Sequence, residues 1–315
     1  MPLISGIACA RPAIMDTRSI DNLKDRLITI FVIPLVSCSA RLPVFTILIA
    51  MAVPEVRILG IFNLQGLTLM ALYLLGFVVA VLSALIIRQF VVRKGKSFLI
   101  MELPLYKWPR LSNVLITIYE KTRSFVWEAG RIILAISIVL WVLASYGPSD
   151  KIKNAEKNIS EKYAGENLSD KQLNTKIASY KLENSYAGVI GKAIEPAIKP
   201  IGFDWKIGIA LITSFAAREV FVGTMATIYS IEQADAETTI RTKMQNEINP
   251  ETGGPRYTTA VAFSLIIFYA FAMQCMSTLA IVLRETKAWK WPLLQLLYLS
   301  ALAYVASFIT YTILK

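Results

Sequence analysis

Three cysteines, Cys9, Cys38 and Cys275, carry the most distinctive chemistry in this chain, and each sits in or beside apolar sequence; histidine, the commonest metal ligand, does not occur. Cys38 lies within S-C-S-A-R-L-P-V-F, Ser37 to Phe45, where hydroxyls, a thiol, the charge of Arg41 and the ring of Pro43 interrupt a stretch that is otherwise apolar from Leu27 to Val53. A second interrupted stretch, Ile207 to Ile231, holds S-F-A-A-R-E-V-F-V with Arg218 and Glu219. A proline inside a helix removes one amide donor and clashes with the preceding turn, so Pro43 is expected to expose carbonyls near Ser39. Non-helical backbone at membrane depth is tolerated only where it is buried in protein or lines a cavity. Such carbonyls, together with serine and cysteine side chains, form a cation-binding set. Sulfur donors favour softer or borderline metals over calcium and magnesium. Cys9 with Met15, Cys38 with Ser39, and Met273 with Cys275 and Met276 are therefore the candidate ligands of a transition-metal path. A buried cysteine can equally serve as a small hydrophobe, and a conducting site must bind weakly enough to release its ion.

The arginines need their own account. An arginine at the bilayer centre costs about 2.5–3.5 kcal/mol on insertion scales, so Arg41 and Arg218 must face protein or water. Adjacent residues on a helix point about 100° apart, which leaves Arg218 and Glu219 to pair with other groups. One role open to both arginines is to satisfy carbonyls freed at a helix break; another is to organise a gate. The motifs share S-x-x-A-R, with Ser37 facing Ser214 and Arg41 facing Arg218, and Cys9 and Cys275 are each followed nine residues later by an arginine, Arg18 and Arg284. The elements occur in reversed order in the two halves, as in an inverted repeat, and corresponding interrupted helices in two repeats point to a midplane site.

Around these residues the chain reads as all-α and multi-pass. It has 315 residues, of which 55% are hydrophobic and only 17% charged, too apolar for an ordinary soluble domain. Arg57 and Arg88 bracket 30 uncharged residues, Tyr257 to Leu283 and Trp291 to Leu314 are uncharged throughout, and Phe125 to Tyr146 supplies a further run. With the two interrupted stretches, this makes six hydrophobic segments at a requirement of about 20 residues per span. The net charge of +11 flanks spans and forms no basic stripe with aromatics, which argues against nucleic acid. Val92 to Ser124 carries seven Lys/Arg against two Asp/Glu and reads as cytoplasmic. If every segment spans once, that connection, the Glu232–Arg256 connection and the C-terminus share a side. The expected organisation is a first gate half over 1–148, a polar insertion over 149–204 and a second gate half over 205–315.

Enzyme signatures are lacking. R-K-G-K-S at Arg93 to Ser97 contains Gly-Lys-Ser, but Phe90 stands where a P-loop needs its first glycine, and neither H-E-x-x-H nor G-x-S-x-G is present. Instead S-C-S-A-R-L-P-V-F, I-E-P-A-I-K-P-I-G-F-D-W-K-I-G-I-A-L-I-T-S-F-A-A-R-E-V-F-V-G-T-M-A-T-I-Y and M-Q-C-M-S-T-L-A-I-V-L-R-E-T-K-A-W-K-W, in that order, resemble the membrane part of the ferrous iron transport protein B (FeoB) family. C-A-R-P-A-I-M-D-T-R-S is similar to its first gate element and M-E-L-P-L-Y-K-W-P to its linker. The resemblance covers essentially the whole chain. It implies an inner-membrane permease for Fe(II), with gate cysteines at Cys9, Cys38 and Cys275 and an A-R-E-V element at Ala217 to Val220. Arg11 departs from the apolar residue usual after the first gate cysteine. The family's GTP-binding domain has no counterpart in these residues, so the resemblance implies a G domain in a partner chain or in a missing N-terminal portion. A homo-oligomer is a further expectation. The alternatives are a nucleoside-type organic-solute permease and a non-transporting membrane fragment.

Overall fold

The structure, a computed structural model, describes residues 2–58, 62–91, 110–147, 184–215, 220–229, 255–273 and 276–315, with residues 177, 180, 181, 218, 242, 244 and 247. Cys275, Glu219 and most of the polar insertion lie outside the described residues. Apart from one two-residue ladder, Arg57–Ile58 against Phe62–Asn63, the described regular structure is helical. Four helical stretches among the described residues are long and apolar enough to cross a membrane: Leu23–Ala52, Leu64–Gln89, Thr259–Thr286 and Lys290–Leu314.

The first unit begins with two short helices, α1 (Pro2–Ala8) and α2 (Ala10–Asp16), that pack against each other. Cys9 is the bend between them, in extended backbone at φ −157° and ψ 135°. Next comes α3 (Leu23–Val32), whose N-cap Asn22 accepts a hydrogen bond from the Lys24 amide. The span breaks at a 3-10 turn containing Pro34, stays extended at Val36 and Cys38, turns again at Ser39–Arg41, and resumes as α4 (Leu42–Ala52). This corrects the expectation for Pro43. Pro43 lies in the first turn of α4, where a missing amide costs nothing, and the Ser39 carbonyl is taken by the Leu42 amide. Pro34 is the interrupting proline.

Helix α5 (Leu64–Val91) runs antiparallel to this broken span, with Gln65 bonded to the Val53 carbonyl at one end and Gly76 against Leu35 and Ser37 further along. A Cβ at Gly76 would stand 3.1 Å from the Leu35 carbonyl oxygen and 3.2 Å from Ser37 Oγ, so a side chain there would push α5 and the break apart by a few tenths of an ångström. Helix α6 (Leu111–Ser145) follows, then α7 (Tyr186–Ile198), which packs on the next helix with Gly191 against Ile209.

The second unit repeats the plan of the first. Helices α8 (Trp205–Ser214) and α9 (Val220–Ile228) pack together as a hairpin. Thr213 and Thr224 join near its tip through hydroxyls 2.8 Å apart. At its base Asp204 caps α8 by accepting from the Ile207 amide, while Tyr229, just past α9, reaches Asp204 through Tyr257. Helices α8 and α9 thus form a hydrophobic hairpin that enters and returns. The span after it, α10 (Thr259–Phe271) and α11 (Met276–Thr286), is broken at Ala272, whose backbone is extended at ψ 149°. Finally, α12 (Lys290–Leu314) packs along α10. Ser264 Oγ donates to the Ser307 carbonyl at 3.2 Å and Ser307 Oγ to the Ser264 carbonyl at 2.9 Å. Small polar residues are suited to this seam, because membrane helices associate by close packing and interhelical hydrogen bonds.

The hairpin also changes the sidedness expectation. Tyr311, near the C-terminus, lies against Gly202, so the C-terminus shares an end with Asp204 and Tyr257. At the other end Arg18 and Arg26 converge on Glu285, joining α2 and α3 to α11, and the antiparallel course of α5 delivers Arg88 there. The end of α5 leading toward Val92 is therefore opposite the C-terminus, Glu247 and Tyr257. An inserted helical hairpin reverses the parity that six simple crossings would give.

Candidate functional site

In each unit a hairpin tip touches the break of the span that follows it. Ser39 Oγ, in the first break, donates to the Ala8 carbonyl beside Cys9 at 2.9 Å. In the second, the Met276 amide donates to the Phe215 carbonyl at the α8–α9 tip, 3.0 Å away. The structure thus brings Cys9, Cys38 and Ser39 into one neighbourhood. Cys38 is buried and extended at φ −90° and ψ 161°; Cys9 is half-buried and also extended, and each residue immediately precedes a helical turn.

The arginines serve the breaks. Arg41 is fully buried; one guanidinium nitrogen donates to Ser37 Oγ at 3.1 Å and the other to the Pro34 carbonyl at 3.0 Å. Arg218, also buried, donates to the carbonyls of Tyr269 (2.8 Å), Ala272 (2.8 Å) and Met273 (3.1 Å), and its guanidinium carbon lies 5.5 Å from the centre of the Tyr269 ring. A planar fork with several donors suits divergent carbonyls better than a point charge does. The two arginines that the S-x-x-A-R motif aligns occupy different kinds of element, since Arg41 is in a broken span and Arg218 belongs to a hairpin tip. By element order, the tip at Cys9 corresponds to the tip that carries Phe215 and Arg218, and the break at 33–41 to the break that begins at Ala272.

The sulfur candidates divide. Met273 is buried at the second break, whereas Met276 lines an apolar cavity of about 330 Å³ between α11 and α12 with Leu279, Leu283, Trp289 and Leu293. Met15 packs against the apolar cluster of Ala10, Ala13 and Ile14. Arg11 lies half-buried on α2. Among the described residues no three His, Cys, Asp or Glu side chains gather as a metal cage. The available donors are thiols, a thioether, hydroxyls and backbone carbonyls.

Sequence reasoning missed Ser37 as an arginine partner, Gly76 as the backing of the break, and Tyr269. The Tyr269 hydroxyl donates to Ser214 Oγ at 3.2 Å and its ring meets Phe221 edge-on at 5.1 Å, so α8 and α9 both grip it. The polar cluster at the hairpin base was missed as well. Arg256 pairs with Asp204 at 3.1 Å, Lys206 with Glu247 at 2.8 Å, and Tyr229 donates to Glu247. Burial pushes the Asp204 carboxyl above its ordinary range, opposed by the Ile207 amide and by Arg256, and burial likewise raises Tyr257. Asp204→Asn keeps an N-cap and is expected to cost about 1–2 kcal/mol. Asp204→Ala loses the cap as well and leaves Arg256 with Glu247 alone, 3.6 Å away, for about 3 kcal/mol in all. Thermal unfolding in detergent ranks the two, and equal melting temperatures would remove the cap from the account.

A hairpin tip set against a broken span, occurring twice in a helical multi-pass protein, defines a transporter-like membrane architecture. Residues 126–289 match the family model described as Gate, nucleoside recognition, and residues 69–121 match that of the ferrous iron transport protein B C terminus. The chain belongs to the FeoB family over these gate and C-terminal segments. It is 43% identical over 313 residues to the Fe(2+) transporter FeoB of Leptospira interrogans, covering 99% of this chain and 42% of that protein. The Fe(2+) transporter FeoB of Methanocaldococcus jannaschii is 32% identical over 98% of this chain and 40% of its own length. A fusion of Fe(2+) transport protein A with FeoB from Porphyromonas gingivalis is 34% identical, with 99% and 37% covered. The chain therefore spans about two fifths of the length of these curated relatives. No solved structure matches it.

Proposed function

We propose that this chain is the permease portion of a ferrous iron uptake system in a bacterial inner membrane. Fe(II) is the cargo, handed past Cys9, Cys38, Ser39 and Met273 where tips meet breaks, and past Cys275, two residues after Met273 in the sequence. Met276 contributes its amide to the tip contact and keeps its side chain in the apolar cavity. Arg41, Arg218 and Glu219 are the gate-organising charges, and Pro43 starts the resumed helix. In this reading the chain transports and does not itself catalyse; GTP hydrolysis belongs to a G domain elsewhere in the protein or in a partner.

The observation that carries this reading is the convergence of the Cys9 bend and the Cys38 break through the Ser39–Ala8 contact. It puts two sulfur donors beside irregular backbone in a membrane protein, which suits a borderline cation better than an organic solute. The test is influx of radiolabelled Fe(II) into proteoliposomes under anaerobic, reducing conditions. Influx reduced by excess unlabelled Fe(II) or Co(II), and unaffected by uridine, is expected. Uridine counterflow without metal influx would replace iron with a nucleoside as the cargo.

A further inference from the structure

We propose that Arg218 is a tethered cation that holds the second break closed to ions, and that the α8–α9 hairpin carrying it is the moving gate. This rests on the reading above, in that the breaks are where a cation passes. Both breaks leave carbonyls that a continuous helix would have satisfied, and each break is served by one guanidinium. The two guanidiniums arrive differently. Arg41 comes from within its own span, seven residues after Pro34 and four after Ser37, so it leaves only if that span unwinds. Arg218 comes from another element, 51 to 55 residues from its acceptors, and can leave with the hairpin while the span stays intact.

The rest of the contact is built the same way. Ser214 holds the Tyr269 hydroxyl, Phe221 holds its ring, and the Phe215 carbonyl holds the Met276 amide. All three gripping residues are on the hairpin, and the Thr213–Thr224 bond ties its two arms together. One rigid tilt of the hairpin would therefore release Tyr269, Met273 and Met276 together, the kind of hinge motion by which packed elements switch between discrete states.

The chemistry gives the closed state its selectivity. Carbonyl oxygens of Tyr269, Ala272 and Met273 converge on one guanidinium, and converging carbonyls are also the donors that replace an ion's hydration shell in cation filters. While Arg218 occupies them, the oxygens are engaged and a fixed positive charge repels any arriving cation. Removing the charge while keeping hydrogen-bond donors should leave the hairpin docked and the barrier lost. Arg218 is thus a positioning residue for the break and a barrier to ions.

The test is potassium leak from proteoliposomes in the absence of iron. The unaltered protein and Arg218→Lys should be tight, and Arg218→Gln should leak at least about tenfold faster, a barrier change of about 1.4 kcal/mol. A tight Arg218→Gln with native melting overturns the proposal, as does equal leak from Gln and Lys. Should Arg218→Gln fail to assemble, Met273→Cys in a background that keeps Arg218 gives a second reading. Its alkylation by a water-soluble reagent should accelerate several-fold during Fe(II) influx over the resting rate, and an unchanged rate overturns the moving gate. Because the potassium measurement does not depend on iron, a protein that carries no Fe(II) defeats the iron reading and leaves the leak result to be judged separately.

Discussion

Arg41→Met is expected to lower the free energy of unfolding by about 3 kcal/mol and to abolish Fe(II) influx. The side chain is fully buried, and its two hydrogen bonds go to Ser37 Oγ and the Pro34 carbonyl. Methionine fills similar space and removes the cost of burying a charge, which on its own would favour the variant. Against this, two buried acceptors lose donors, at about 1–3 kcal/mol each, in a break that α5 presses upon through Gly76. The lost hydrogen bonds outweigh the relieved charge because the break has no helical ladder to fall back on. Arg41→Lys keeps the charge but not the fork, and its melting temperature should fall between those of methionine and arginine. A methionine variant as stable as the unaltered protein would show that packing alone holds the break.

The second large effect is on transport. Cys38→Ser with Cys275→Ser should reduce Fe(II) influx by at least about tenfold, since an oxygen donor replaces sulfur at both places and a borderline cation loses its preferred ligand. Stability should change by only about 1 kcal/mol, because serine is close in size and the buried Cys38 site gains one hydroxyl to satisfy. Separating influx from melting is what gives the variant its value: unchanged influx in a stable protein would make Cys38 and Cys275 packing residues.

Much of this site could be read from residue types. An arginine, a serine and a proline inside apolar sequence announced the break at 33–41, and both arginines donate to carbonyls at a break. The break was misplaced within its segment because Pro43 looked like the interrupter, whereas proline near a helix start is harmless and Pro34 sits where an amide was needed. The second break gave no local signal. Tyr257 to Leu283 has no charge and no proline, and its bend at Ala272 is held by Arg218 from another element, a tertiary effect that hydrophobicity cannot report. The hairpin of α8 and α9 was hidden for a related reason: an apolar run shows that a segment is buried but not whether it crosses or returns. Its marks were present in Asp204 as a cap, Thr213 and Thr224 as a pair and Tyr229 at the exit, each too common to interpret alone. Gly76 lies in an uninterrupted span where nothing distinguished it from filler.

Ferrous iron is expected to touch the thiols of Cys38 and Cys275, and iron K-edge X-ray absorption of the anaerobically Fe(II)-loaded protein reports its ligands. A sulfur shell around iron in the unaltered protein, reduced in Cys38→Ser with Cys275→Ser to what Cys9 and Met273 still supply, is the predicted result. An oxygen and nitrogen shell identical in both proteins would contradict it.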